Sequence, residues 1–238
     1  MSKTHVTFLL DRTGSMESIR DDTIGAFNTY LGELRADGAG EISFTLITFD
    51  SWSLDKVYTA VAPKDAKNLT RESYVPRAST PLIDAACKTI KAVEKLVKDG
   101  GNPKDKVVIC IQTDGQENCS TEFTWDILNA LIKEKIKDGW QFNFLGCGID
   151  AYAQGAKMGI PHMSTMSYDR MDFGATQSAY RSMGQTTRLY ASGAVGQTVL
   201  SDEQRAEAKD AYANKVTPPS HKTASPNKDK PIVDDVTL

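Results

Sequence analysis

The chain has no apolar run approaching the roughly 18 residues that a membrane-spanning helix requires. Its opening, MSKTHVTFLL, is too short and too soon charged to read as a secretory leader. Both absences lead to the expectation of a cytoplasmic protein without a membrane partner. Neither sign of charge dominates: 28 Lys and Arg stand against 31 Asp and Glu, a net of −3, which argues against nonspecific binding to nucleic acid. Cysteine is scarce, and Cys87, Cys110, Cys119 and Cys147 show no CxxC spacing. They read as reduced core thiols and not as a disulfide or zinc framework. Histidine is scarcer still. His5 opens the first apolar run, His162 opens a later one and His221 lies in a polar tail. A general acid or base would therefore have to be a carboxylate, which weighs against an enzyme.

What is present is an ordinary globular composition, 40% hydrophobic and 25% charged over 238 residues. A chain of this length can bury about 70–75% of its unfolded surface in one core and needs no staple. Composition changes near residue 195. Beyond it come TPPSHKTASPNKDKP and few large apolar residues, too little to order a second core. The expected organisation is one domain over 1–195, followed over 196–238 by a short polar helix at about 201–214 and a disordered tail. Ser201 and Gln204 supply a capping box for that helix.

Within 1–195, compact apolar strands alternate with amphipathic helices. Strands are expected at 5–10, 41–49, 53–62, 106–112, 140–146 and 162–167, and helices at 17–35, 81–98, 121–138, 151–158 and 170–191. The second and third strands are joined by the polar turn Asp50-Ser51 as a hairpin. The fold class that follows is α/β: a doubly wound, mostly parallel sheet with one antiparallel edge strand and helices on both faces. Ligands of such sheets bind at the C-terminal ends of the strands. The loops to inspect are therefore 11–16, 63–80, 113–121 and 147–150.

The first loop reads Asp11-Arg12-Thr13-Gly14-Ser15 directly after a buried strand. Its alternating carboxylate and hydroxyls can converge on one point, and hard oxygen ligands suit Mg²⁺. The following helix directs its N-terminus at the same place, so the carboxylates must outweigh that positive end. Asp114, in Thr113-Asp114-Gly115, adds a second carboxylate from another strand end. Thr80, just before Pro81, adds a third hydroxyl. Taken alone, the pentapeptide also fits simple capping of the next helix. Three matching loops at the ends of suitable strands favour a metal site.

This pattern, Asp11-x-Thr13-x-Ser15, then Thr80 at a loop–helix junction, then Thr113-Asp114-Gly115, resembles the metal-ion-dependent adhesion site of von Willebrand factor A domains. The resemblance spans nearly all of 4–195, and DRTGSM with TDGQEN looks most like intracellular bacterial and phage members. It implies Thr13, Ser15 and Thr80 as ligands of Mg²⁺ (or Mn²⁺ or Ca²⁺), with Asp11 and Asp114 binding directly or through water. It also implies a non-enzymatic function, the docking of an Asp or Glu of a partner protein at the open coordination position. The family's first hydroxyl is usually Ser; here it is Thr13, which keeps the oxygen and adds a methyl.

Around that site Arg12, Arg71 and Arg77 are candidate partners for an incoming carboxylate, with Glu17, Glu72, Glu117 and Glu122 offsetting their charge. Tyr74 and Pro76 either contact a partner or pack the long 63–80 loop down. Glu117 and Asn118 read as caps, Trp52 as exposed turn packing, and the methionines from Met158 to Met183 as gap-filling core. A competing signal is Gly146-x-Gly148-x-x-Ala151 between a strand and a helix, with Asp169 some 20 residues on. It fits a dinucleotide fingerprint, although it lies late in the domain and precedes a short helix. The alternatives to a docking module are thus a Mg²⁺-assisted hydrolase or a nucleotide binder. Asp234 and Asp235 could also reach a neighbouring molecule's site as a built-in ligand.

Overall fold

The structure, a computed structural model, describes residues 2–100, 102 and 104–213. Asp234 and Asp235 lie outside the described residues. The sheet is built from β1 (Thr4–Asp11), β2 (Ile42–Phe49), β3 (Leu54–Val61), β4 (Lys106–Thr113), β5 (Gln141–Cys147) and β6 (Thr165–Tyr168). Its order is β3-β2-β1-β4-β5-β6, with every pairing parallel except β2–β3. The expected doubly wound α/β sheet with one antiparallel edge is therefore found. β1 is buried along its whole length, as a continuous apolar strand at the centre of a parallel sheet must be. The edge strand β3 is only partly covered.

Helices cover both faces. On one side α1 (Arg20–Arg35) and α5 (Phe173–Ser192) pack on Val6, Phe8 and Leu10 of β1. Phe8 is the hub, with ring centroids 4.8 Å from Tyr30, 5.4 Å from Phe27 and 5.8 Å from Tyr180. On the other side α2 (Leu82–Gly100), α3 (Trp125–Lys137) and α4 (Ala151–Met158) cover Leu9, Ile109 and Ile111. Adjacent residues of one strand thus feed opposite cores, the consequence of side chains alternating along a strand. Cys87, Cys110 and Cys147 are buried free thiols and Cys119 is half-buried. Met158, Met166 and Met183 fill core, whereas Met163 and Met171 are exposed.

Several boundaries differ from the sequence expectation, three of them for a clear local reason. The helix expected from 121 begins at Trp125, because the amides of Thr121, Glu122 and Phe123 donate to the Asp84 carboxylate of α2 instead of entering a helix. The strand expected from 162 begins at Thr165, after a 3₁₀ turn over His162–Ser164 in which Ser164 N donates to the Pro161 carbonyl at 3.0 Å. The helix expected from 170 starts at Phe173, capped by Asp172 accepting from Ala175 N at 2.8 Å.

The capping box of Ser201 and Gln204 forms and starts α6 (Asp202–Glu207). This segment is not a loose appendage: Leu200, Arg205 and Ala208 are buried, so the packed unit continues past residue 195. Arg205 Nη2 donates to the carbonyls of His162, Met163 and Thr165 at 3.1–3.2 Å, and Nε to Tyr152 Oη at 2.9 Å. Asp210 accepts from the same Tyr152 hydroxyl at 2.6 Å and from Ser167 N at 3.1 Å. The polar residues of 196–213, expected to form a solvated helix outside the core, satisfy the otherwise orphaned backbone at the β6 edge. Arg205→Ala should therefore lower the free energy of unfolding by about 3 kcal/mol, from several buried carbonyls left unpaired. Urea denaturation measures this, and an effect under about 0.5 kcal/mol, the scale of an ordinary surface substitution, would refute the strap.

Candidate metal centre

The chain runs outward from β1 to β2 and β3 and then crosses back to β4, so the switch point of the sheet lies between β1 and β4. The register pairs Leu10 with Gln112, which sets Asp11 level with Thr113 at the strand ends. Thr113 Oγ1 donates to Asp11 Oδ2 at 2.5 Å, and Thr13 N donates to Asp11 Oδ1 at 2.7 Å. Asp11 is fully buried. With both oxygens held, it fixes the turn that follows it.

That turn carries Thr13 and Ser15 forward, their hydroxyl oxygens 3.3 Å apart. Ser15 Oγ donates to Asp114 Oδ1 at 2.6 Å. The third loop also reaches the same place: a Cβ placed on Gly115 would stand 3.4 Å from Thr80 Oγ1 and 3.7 Å from Ser15 Oγ. The structure thus brings Asp11, Thr13, Ser15, Thr80 and Asp114 together from three separate loops. Thr13, Thr80 and Asp114 are buried and Ser15 is exposed, so the cradle opens to solvent on the Ser15 side.

Thr80 is set by its neighbours. Asn118 Oδ1 accepts from Thr80 N at 2.9 Å, and Asn118 N donates to the Thr80 carbonyl. Glu117 accepts from the amides of Cys119, Ser120 and Ile83, the capping expected of it, and so ties this turn to the start of α2. The 63–80 loop is pinned to α1: Asn28 exchanges hydrogen bonds with the backbone of Leu69, and Arg20 Nε donates to the Tyr74 carbonyl at 3.0 Å. Tyr74 is buried, and its hydroxyl donates to the Asp11 carbonyl at 2.5 Å, so it packs the loop down and is closed to a partner. Pro76 is half-buried.

Two carboxylates are thus withdrawn from water at adjacent strand ends. Burial pushes Asp11 up to about 7, although the Thr113 and Thr13 hydrogen bonds act in the opposite direction. Asp114 is raised too, again by burial, against the opposing effects of Ser15 and Arg170. Asp114 Oδ2 is buried and has no hydrogen-bond partner. A buried carboxylate oxygen without a hydrogen-bond donor, on a side chain whose other oxygen takes the Ser15 hydroxyl, belongs to a donor set that fits a hard divalent cation. Among the described residues no cluster of three or more His, Cys, Asp or Glu forms, so any such site would rest on hydroxyls and two carboxylates.

The expected arginine rim is not free. Arg12 turns inward and is buried, its Nη2 donating to Asp50, Asp55 and Ser53 at 2.7–2.9 Å. Arg77 shares Asp50 at 3.0 Å and lies 5.2 Å from the ring of Trp52, which is exposed. Arg71 pairs with Asp21. Each is matched by an acid that sequence spacing could not assign to it. The arginine that does face the site is Arg170, just beyond β6, with Nη2 3.6 Å from Asp114 Oδ2.

The glycine fingerprint does not form a nucleotide cradle. A Cβ on Gly146 would meet Ala151 Cβ at 2.6 Å, and one on Gly148 would meet the Arg170 stem at 2.9 Å. Both glycines are thus required by close packing of the chain on itself. The amides at the start of α4 are also used: Ala151 N donates to Ser167 Oγ and Ala153 N to Asp150. Asp169 accepts from Met171 N. The pattern is a tight strand–helix turn.

By sequence the chain matches no protein-family model and no curated protein. By structure it is similar to proximal thread matrix protein 1 from the mussel byssus, solved with a zinc-occupied MIDAS motif. That match has TM-score 0.58 at 12% identity and covers 78% of this chain and 48% of that one. It is also similar to von Willebrand factor type A from Catenulispora acidiphila, with TM-score 0.55 at 14% identity over 79% of this chain and 43% of that one. The pilus adhesin SpaC from Lactobacillus rhamnosus GG, in its open conformation, matches with TM-score 0.61 at 12% identity over 79% and 30%. The chain thus aligns with less than half the length of each of these structures. These likenesses show the fold: this chain has the fold of a von Willebrand factor A domain.

Proposed function

We propose that the chain is a divalent-metal-dependent protein-binding module that docks an acidic residue of a partner protein. The observation that carries this is the convergence of Thr13, Ser15, Thr80 and Asp114 at the switch point, where Asp114 keeps one buried oxygen without a hydrogen-bond donor. Thr13, Ser15 and Thr80 would hold the ion with Asp114, while Asp11 acts by orienting Thr13 or through water. The ion would be Mg²⁺, or Mn²⁺ or Ca²⁺ in its place, and would supply an open coordination position for a carboxylate. A metal-occupied motif in the mussel protein and an adhesin among the similar structures support the reading. No membrane or nucleic-acid role is proposed: no helix among the described residues is long and apolar enough to cross a membrane, and the charge is balanced.

The direct test is calorimetric titration with MgCl₂ and MnCl₂. Wild type should bind one ion, and Asp114→Ala or Ser15→Ala should weaken binding about tenfold or more, the usual cost of altering a metal's ligands or their supports. Equal binding by all three proteins, or none by wild type, removes the site.

A pH dependence follows from Asp11. Its folded pKa of about 7 stands above the ordinary 3.8. Between those values the folded protein keeps a proton that the unfolded chain has released. Stability present below about pH 4 should then be lost as pH rises toward 7 in EDTA. Asp11→Asn keeps an acceptor for Thr13 N and a neutral group against Thr113, so it should flatten that slope. Saturating Mg²⁺ should flatten it in the wild type. Thermal melts between pH 4 and 8 measure both, and a wild-type slope unchanged by either would contradict the buried-charge account.

A further inference from the structure

Arg170 stands apart from the other arginines near the site. Its guanidinium has five N–H donors, and one hydrogen bond is seen for them among the described residues, Nη2 to Ser18 Oγ at 2.6 Å. The same nitrogen faces Asp114 Oδ2 at 3.6 Å, close enough for charge attraction and too far for a hydrogen bond. Asp114's side chain is 0% exposed and that of Arg170 35%. The guanidinium therefore faces a buried anion from a side chain that is itself partly open to solvent. The aliphatic stem lies across Gly148, whose φ of +64° and missing Cβ leave room for it. The stem is seated, and one hydrogen bond, to Ser18, holds the head.

Resting on the binding-module reading, we propose that Arg170 is the charge gate of this site. It neutralises Asp114 when no metal is bound and turns outward onto the incoming carboxylate when one is. The guanidinium and a divalent cation compete for the same buried oxygen, since two positive charges a few ångströms apart repel in a half-buried setting. Once displaced, the guanidinium remains at the mouth of the cradle, where its fork can take a carboxylate by charge-assisted hydrogen bonds. Metal alone is then disfavoured, carboxylate alone finds no site, and the two together are favoured. Arg170 is a positioning and specificity residue that makes their binding cooperative.

The test compares wild type with Arg170→Met, which keeps the stem over Gly148, and Arg170→Lys, which keeps the charge. Calorimetric titration with MnCl₂ without carboxylate should show Arg170→Met binding about tenfold tighter than wild type, the size of one removed repulsion in a partly screened site. Arg170→Lys should stay within about threefold of wild type, the charge being preserved. Acetate at tens of millimolar should tighten Mn²⁺ binding to wild type several-fold more than to Arg170→Met, in which only the metal's open position is left to hold it. In EDTA, Arg170→Met should melt below wild type and Arg170→Lys near it, because the gate also serves as counter-charge in the metal-free protein. Equal Mn²⁺ affinity in wild type and Arg170→Met, or an acetate effect as large in Arg170→Met as in wild type, overturns the gate and leaves the metal site standing. No Mn²⁺ binding to any of the three proteins overturns the site and the gate together.

Discussion

Burying Asp11 and Asp114 side by side is the constraint around which the rest of this structure is arranged. A carboxylate removed from water without a cation is costly, and here two sit at the ends of adjacent parallel strands. The chain gives Asp11 two hydrogen bonds and Asp114 one, from Ser15, together with a distant guanidinium. Those partners are too few to hold both ionised at their ordinary strength, and burial wins for both. A protein stabilised only for its own sake would have no reason to retain that arrangement. The surrounding loops are nevertheless held in place by anchors, Asn28 on Leu69, Asn118 on Thr80 and Tyr74 on the Asp11 carbonyl, that keep the pair from relaxing into solvent.

Charge is handled in two ways a few residues apart. At the β2–β3 hairpin, Asp50 is equally removed from water, yet it receives Arg12, Arg77 and the amides of Trp52 and Ser53. These contacts hold its carboxyl below the usual range despite burial. The same chain can therefore neutralise a buried aspartate fully, and does so next to the site. Arg12 is the second residue of the site pentapeptide and delivers its charge to the hairpin instead of to Asp114. The contrast separates a structural carboxylate cluster from one left short of charge, and it supports reading the second as a place for an external cation.

Much of this was legible in the sequence because it depends on local rules. Continuous apolar strands such as Thr4–Asp11 mark a central parallel sheet, and the alternation of strand and helix gives the switch point between β1 and β4. Asp11, Thr13, Ser15, Thr80 and Asp114 could be gathered from three loops because each sits at a strand end or a helix start. Direction and pairing were not legible. That Arg12 points inward depends on Asp50 and Asp55 being brought close by a hairpin register with a bulge. Arg170 follows β6, and no local spacing relates that strand's end to Asp114. The strap at 196–213 was hidden because Arg205 and Asp210 look like solvated charges until their partners, the free backbone and Tyr152 at the β6 edge, are in place.

The hydroxyl-rich character of the cradle has a consequence for what it could bind. Thr13, Ser15 and Thr80 are neutral donors, and Asp11 already spends both oxygens on Thr13 and Thr113. A divalent ion seated there would have its charge only partly cancelled by this chain, with Asp114 the nearest anion. A full set of protein ligands carrying enough negative charge would satisfy the ion and hold it for structure, as closed sites do. A neutral, incompletely compensating ligand set leaves positive charge facing the open side at Ser15, and Arg170 adds to it. Both features favour a negatively charged oxygen arriving from outside over water. On electrostatic grounds the cradle suits the exchange of an anionic partner better than the permanent storage of a metal.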